Sequence, residues 1–214
     1  MTQPDLYQQL TNAIGITESV IIPKIFKMLA DEDEAKVILA AAPPGTVAEI
    51  AERSGVPADK VEKMIDPLFR KGLMFKSSKP GVYYRVKYML QFHDATILAP
   101  GMTEDFFDLW KEYHKTEFDG HMKELQAVIP NSVMRVVPIN VNLQPDLQVA
   151  YFDDVRQIVE KARVLAVTAC TCRVVDGSCG KTVDVCIQVD KAADYALERG
   201  SGRELTKAES MEML

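Results

Sequence analysis

Apolar residues recur at intervals of three and four from the start of the chain: Leu6, Leu10 and Ile14, then Val20, Ile21, Ile25, Phe26 and Leu29. That interval lays a stripe along one face of a helix. Gly15 and Pro23 interrupt it, which predicts one or two helices over the first thirty residues. The stripe suits core packing, and a homodimer contact is the other use open to it.

From Asp33 the pattern changes to short helices with marked ends. Glu34–Ala42 reads as a helix stopped at Pro43-Pro44-Gly45. Thr46 and Glu49 form a capping box, in which hydroxyl and carboxylate satisfy the first free N–H groups of a helix over Val47–Ser54. Gly55 ends it. Pro57 opens a third helix with Val61, Met64, Ile65 and Leu68 as its apolar stripe, and Pro67 is expected to kink or thin its last turn. Residues Leu73 to Phe75, a tip at Ser77–Gly81 and a returning strand at Val82–Tyr88 predict a hairpin. Three helices followed by a hairpin make a winged helix-turn-helix, the second half of a helical domain over residues 1–100.

Residues 101–130 read as a connection. Thr103 caps a long amphipathic helix reaching about Leu125, whose Phe106, Phe107, Trp110, Tyr113 and Phe118 suit core or a subunit contact. His114, Glu117 and His121 share a face, but the two histidines are separated by a rise of about 10 Å, too far for one ion. His93 stands isolated. Residues 131–214 predict an α+β domain. Val133–Asn140 and Leu147–Tyr151 read as strands, Asp153–Ala162 as a helix, and Arg163–Thr168 as a strand delivering Cys170. A helix over Asp190–Arg199 stops at Gly200–Gly202, and Thr206 with Glu209 forms another capping box. The fold class expected is α+β, a helical winged-helix domain followed by a small cluster-binding domain.

All four cysteines, Cys170, Cys172, Cys179 and Cys186, fall in that second domain in a C-x-C-x6-C-x6-C pattern. Cys170 and Cys172 are too close for an easy mutual disulfide. Four thiolates supply the tetrahedral sulfur shell that either zinc or an iron–sulfur cluster takes. Structural zinc sites favour paired C-x(2–4)-C knuckles, whereas the wide, near-even gaps here suit a loop wrapped round a bulkier cubane. Gly177, Ser178, Gly180 and Thr182 let backbone N–H groups approach the sulfurs, and Arg173 and Lys181 offset negative charge. Zinc stays open as the alternative metal. The structural reading is free thiols, or a disulfide formed in air.

Cys170-Thr-Cys172-Arg173, the lone Cys179, and Cys186-Ile-Gln-Val followed by the run Lys191–Leu214 resemble winged-helix, ferredoxin-type [4Fe-4S] proteins of anaerobic bacteria and archaea. In that family C-x-C-R…C…P-x-E-x-C runs into a helix and a G-x-G-R-x-[IL]-[ST]-x-x-E turn. Tyr151–Ala162 and Val164–Val167 also resemble it, so the likeness covers about residues 135–214 and, more loosely, the N-terminal half. Thr182-Val-Asp stands where the family has Pro-x-Glu, which alters the expected loop geometry and leaves the ligand count intact. The resemblance implies one [4Fe-4S] cluster held by all four cysteines. The family also continues past the point matching Leu214 into further ferredoxin modules, so such a module, or a separate redox protein, is the expected partner.

Composition narrows the function classes. A net charge of −6 argues against a nucleic-acid footprint built on clustered Lys and Arg. The third helix repeats the point, since Asp59, Lys60, Glu62, Lys63 and Asp66 offer a balanced surface with no base-reading residue at its start. Neither a signal peptide nor a membrane-spanning run is visible, and thiols without a signal suggest a reducing, cytoplasmic setting. No phosphate-binding glycine motif and no nucleophile elbow occur. The expectation is an electron-transfer component of an oxidoreductase system, not a stand-alone enzyme. A cluster- or zinc-containing winged-helix regulator is the alternative.

Overall fold

The computed structural model describes residues 5–128, 155–178 and 180–214. They form two compact units, Met1–Met122 and Lys123–Leu214. Among the described residues there are twelve helices and two small antiparallel sheets, an α+β arrangement. The strands expected at 133–140 and 147–151 lie outside the described residues, as does Cys179.

The first unit opens with α1 (Leu6–Ala13) and α2 (Ile22–Leu29), divided at Gly15 as its positive φ of 87° allows. The apolar stripe is core except at Leu6, which is half-buried, and Val20, which is 72% exposed in the loop between the helices. Helix α3 (Glu32–Ala40) starts two residues before the sequence pattern suggests, because Asp31 and Glu34 form a capping box of their own. Helix α4 (Val47–Ser54) has the expected box between Thr46 and Glu49. Helix α5 (Ala58–Lys71) runs through Pro67 for a further turn and ends at Gly72. Strands β1 (Met74–Lys76) and β2 (Tyr83–Arg85) pair antiparallel, Phe75 opposite Tyr84. Gly45 and Tyr83 exchange backbone hydrogen bonds of 3.0 and 2.8 Å, adding an isolated bridge outside β2.

Two side chains lock these pieces together. The guanidinium of Arg85 donates to the carbonyl of Ala13 at 2.7 Å, closing the end of α1. Lys71 reaches Glu34 at 3.1 Å in a half-sheltered ion pair between α5 and α3.

Helices α6 (Met89–Ile97), α7 (Glu104–Thr116) and α8 (Phe118–Val128) follow. The single long helix expected from Thr103 is instead broken at Glu117. Its carboxylate is drawn to the α1–α2 loop, where it accepts from the Ser19 hydroxyl at 2.5 Å and the Val20 N–H at 3.1 Å. Of the five aromatic residues expected there, Phe106, Trp110 and Tyr113 are fully buried and Phe107 and Phe118 half-buried, while Phe92 lies between Phe26 (ring centroids 4.2 Å) and Trp110 (5.6 Å). No helix among the described residues is long and apolar enough to cross a membrane.

In the second unit, α9 (Val155–Lys161) precedes β3 (Leu165–Ala169), α10 (Thr171–Asp176), β4 (Asp184–Val189), α11 (Lys191–Glu198), β5 (Gly202–Leu205) and α12 (Lys207–Met213). The strand order is β4-β3-β5, all antiparallel. Strand β3 is central and both its faces are covered. Leu165 and Val167 belong to a core with Val159 and Leu205, while Ala166 and Thr168 are buried on the opposite side of the strand. The cysteine segment therefore leaves the end of an inner strand, as expected. Residues 171–176 and 184–186, expected as cluster loop, instead form α10 and the start of β4.

Candidate metal centre

The three described cysteines take their places from β3, α10 and β4. Cys170 follows β3 directly and is the N-cap residue of α10, in an extended conformation (φ −71°, ψ 110°). Its N–H donates to the Val183 carbonyl at 2.7 Å, and its own carbonyl accepts from Val174 at 2.9 Å. Cys172 lies in α10 and is exposed, whereas Cys170 is half-buried. Cys186 is half-buried in β4, directly across from Thr168, with a bulge between Thr168 and Ala169. Gly202 of β5 faces Thr168 from the other side. Gly202, Thr168 and Cys186 thus make one rung across the three strands, two residues before Cys170.

Polar bonds fix this end of the sheet. Thr168 is buried, accepts from the Gln188 amide at 3.2 Å, and donates to the Cys186 carbonyl at 3.5 Å. Arg173, expected to offset cluster charge, donates through Nη1 to the Thr182 carbonyl and so closes the loop on itself. Lys181 is exposed. Gly177 and Gly180 take positive φ, 67° and 60°, where a side chain would be strained. Ser178 donates to Asp176 at 2.7 Å. A depression of about 420 Å³, open to solvent, borders the same end and includes Thr168, Ala169, Asp184, Ser201 and Arg203.

No disulfide joins Cys170, Cys172 and Cys186 to one another. Among the described residues, no three His, Cys, Asp or Glu side chains converge closely enough to hold a metal ion. The fourth thiol, Cys179, is outside that set. By type alone, thiols just past β3, on α10 and on β4 are the donors that a soft metal takes.

The histidines form a separate arrangement. His93 is not isolated: its Nδ1 is 2.8 Å from Asp94 Oδ1, and its Nε2 is 2.9 Å from His114 Nε2. A carboxylate only accepts, so Nδ1 of His93 donates to Asp94, and the two Nε2 atoms share one hydrogen bond. His114, Glu117 and His121 do not share a ligand. His114 turns to His93, Glu117 to Ser19, and His121 to the Tyr113 hydroxyl at 3.0 Å.

Burial, and then the neighbouring His93, hold His114 below the ordinary histidine pKa of 6.5. The unfolded chain therefore takes up a proton that the folded one resists. Stability is expected to fall as pH drops from about 6.5. Denaturant titrations from pH 7.5 to 5 should show a shallower decline for His114→Gln than for wild type. Equal slopes would assign the dependence to other groups.

No family model, curated protein or solved structure matches the chain.

Proposed function

We propose that this chain is an iron–sulfur electron-transfer protein carrying one [4Fe-4S] cluster on Cys170, Cys172, Cys179 and Cys186. The observation that carries the reading is that all four cysteines fall between residues 170 and 186, the three described ones beside the same end of one small sheet. A bound cluster would supply a one-electron couple at a potential set by its charge, sulfur hydrogen bonds and exposure. The protein's part is positional. Strand β3, buried on both faces, fixes Cys170; the β3–β4 register fixes Cys186; and α10 leaves Cys172 exposed, on the side from which a redox partner would approach.

We read α3, α4, α5 and the β1–β2 hairpin as a winged helix used for protein contact. On α5, Lys63 pairs with Asp59 at 3.8 Å and Arg70 with Asp66 at 2.8 Å, so cations that would meet phosphates already face carboxylates. A ferredoxin-type protein or module is the proposed partner, in a reducing cytoplasm.

The test is anaerobic purification with iron, sulfide and zinc analysis beside visible spectra before and after dithionite. About four iron and four sulfide per chain, with colour that bleaches on reduction, is the expected result. Colourless protein with stoichiometric zinc would end the electron-transfer reading. Salt-sensitive DNA binding that follows cluster loss would replace it with a regulator.

A further inference from the structure

All three histidines of the chain have their rings against Trp110 or Tyr113 of α7. His93 on α6 is 5% exposed and meets Trp110 edge to face, ring centroids 4.9 Å apart. Its Nε2 faces the Nε2 of His114 at 2.9 Å, so the bond between the imidazoles ties α6 to α7. The indole Nε1 of Trp110 is buried and has no hydrogen-bond partner among the described residues, so the indole adds no polar bond to this seam.

Two nitrogens at that distance have room for one proton between them. With Nδ1 of His93 donating to Asp94, one Nε2 donates and the other accepts. A first extra proton leaves that bond in place as a charged N–H donating to a neutral nitrogen. A second leaves two donors and two positive charges face to face, where no hydrogen bond forms and like charges repel. Acid thus removes a contact as well as adding charge.

The other charged groups around the pair are committed elsewhere. On α7, Lys111 pairs with Asp108 at 3.1 Å, and Glu117 accepts from Ser19 and Val20. On α8, His121 meets the Tyr113 hydroxyl through Nδ1, and its Nε2 donates to the Glu18 carbonyl at 3.3 Å. Burial, then Glu117, raises the pKa of Tyr113, so its hydroxyl stays protonated in acid. Helix α2 meets this layer through Phe26, and its Lys24 and Lys27 are exposed. Helix α5 approaches α6 at Gly72, with Arg70 held by Asp66 and Lys71 by Glu34. After burial, the charge that acts on His114 is that of His93.

We propose that His93 and His114 form a proton-operated clasp between α6 and α7, closed while one proton lies between the two Nε2 atoms and open when each carries its own. Opening loosens α6 from α7 and uncovers Trp110. Helices α3, α4 and α5 carry no histidine and keep their packing. The clasp involves no cysteine, so it is independent of the iron–sulfur reading.

The test uses the full chain, in which Trp110 is the sole tryptophan. Imidazole nitrogen resonances, assigned through single His→Gln variants, should show His93 and His114 titrating in two coupled steps more than about one pH unit apart. His121 should titrate in one. Between pH 7.5 and 4.5, acrylamide quenching of Trp110 should rise with the more acidic step while far-UV circular dichroism holds. His114→Gln still hydrogen-bonds but takes up no proton, so its quenching should stay flat, whereas His121→Gln should keep the step. Should His114→Gln not fold, His93→Gln takes its place with the same expected loss of the step. Independent single-step titration of His93 and His114 would overturn the clasp, as would wild-type quenching that does not change with pH or a step retained in His114→Gln. Loss of circular dichroism together with the step would also overturn it, assigning the acid response to unfolding of the whole chain.

Discussion

Anaerobically prepared Cys186→Ser protein is expected to be folded and nearly free of iron. Substitutions beside metal ligands alone cost about 10–100-fold in affinity, and loss of a ligand should cost at least as much. Serine keeps the size of the side chain but replaces a soft, readily ionised sulfur with a hard hydroxyl. The backbone is spared. The Thr168 hydroxyl donates to the carbonyl of residue 186, not to its side chain, and the pairing across β3 is made by main-chain groups. Circular dichroism should therefore match metal-free wild type while visible absorbance and iron content collapse. Cys172→Ser, exposed on α10, should give the same loss of colour with still less effect on folding. Unchanged iron in either variant would remove that residue from the ligand set.

Gly72→Ala should be the most damaging single-methyl change in the first unit. Gly72 caps α5 at φ 81°, a left-handed conformation that costs a residue with a Cβ about 1–2 kcal/mol. The added Cβ would also lie 2.6 Å from the Ala95 side chain and 2.7 Å from its backbone, where α6 crosses. Neither neighbour is the end of a flexible side chain, so α5 or α6 has to shift, adding about 1–3 kcal/mol of overpacking strain. The expected total is about 2–5 kcal/mol, seen as a lower urea midpoint with an unchanged slope. Gly55→Ala is the control. Its φ of 71° carries a similar conformational cost, but nothing lies within 4 Å of the added carbon. Equal losses at both sites would mean that the α5–α6 approach is not tight.

What could be read along the chain was local. Helix α4 has the bounds that its capping box and Gly55 dictate, and the hairpin falls where apolar and turn residues alternate. What could not be read depends on distant partners. Nothing in the sequence around Glu117 breaks a helix; the break follows its bond to Ser19, ninety-eight residues away. His93 finds its partner in His114 only once α6 and α7 are packed. Strand β4 was legible in principle, since Val185, Ile187 and Val189 alternate with Cys186 and Gln188, a period of two that the cysteine spacing obscures. Arg199 reads along the sequence as an ordinary cation near a helix end. Only the packing of α11 shows it to be buried.

The Gly45–Tyr83 bridge also bears on association. A hairpin with strands of three residues is marginal by itself, and the outer edge of β2 would invite strand addition by another chain. That edge is occupied at Tyr83 by Gly45, whose loop is braced where Arg53 donates to the Pro43 carbonyl at 2.7 Å. A side chain at Gly45 would run into Arg53, its Cβ only 2.2 Å from the guanidinium. Opening this seam would expose a sticky border, so aggregation is the failure to watch for in variants of the Pro43–Gly45 loop.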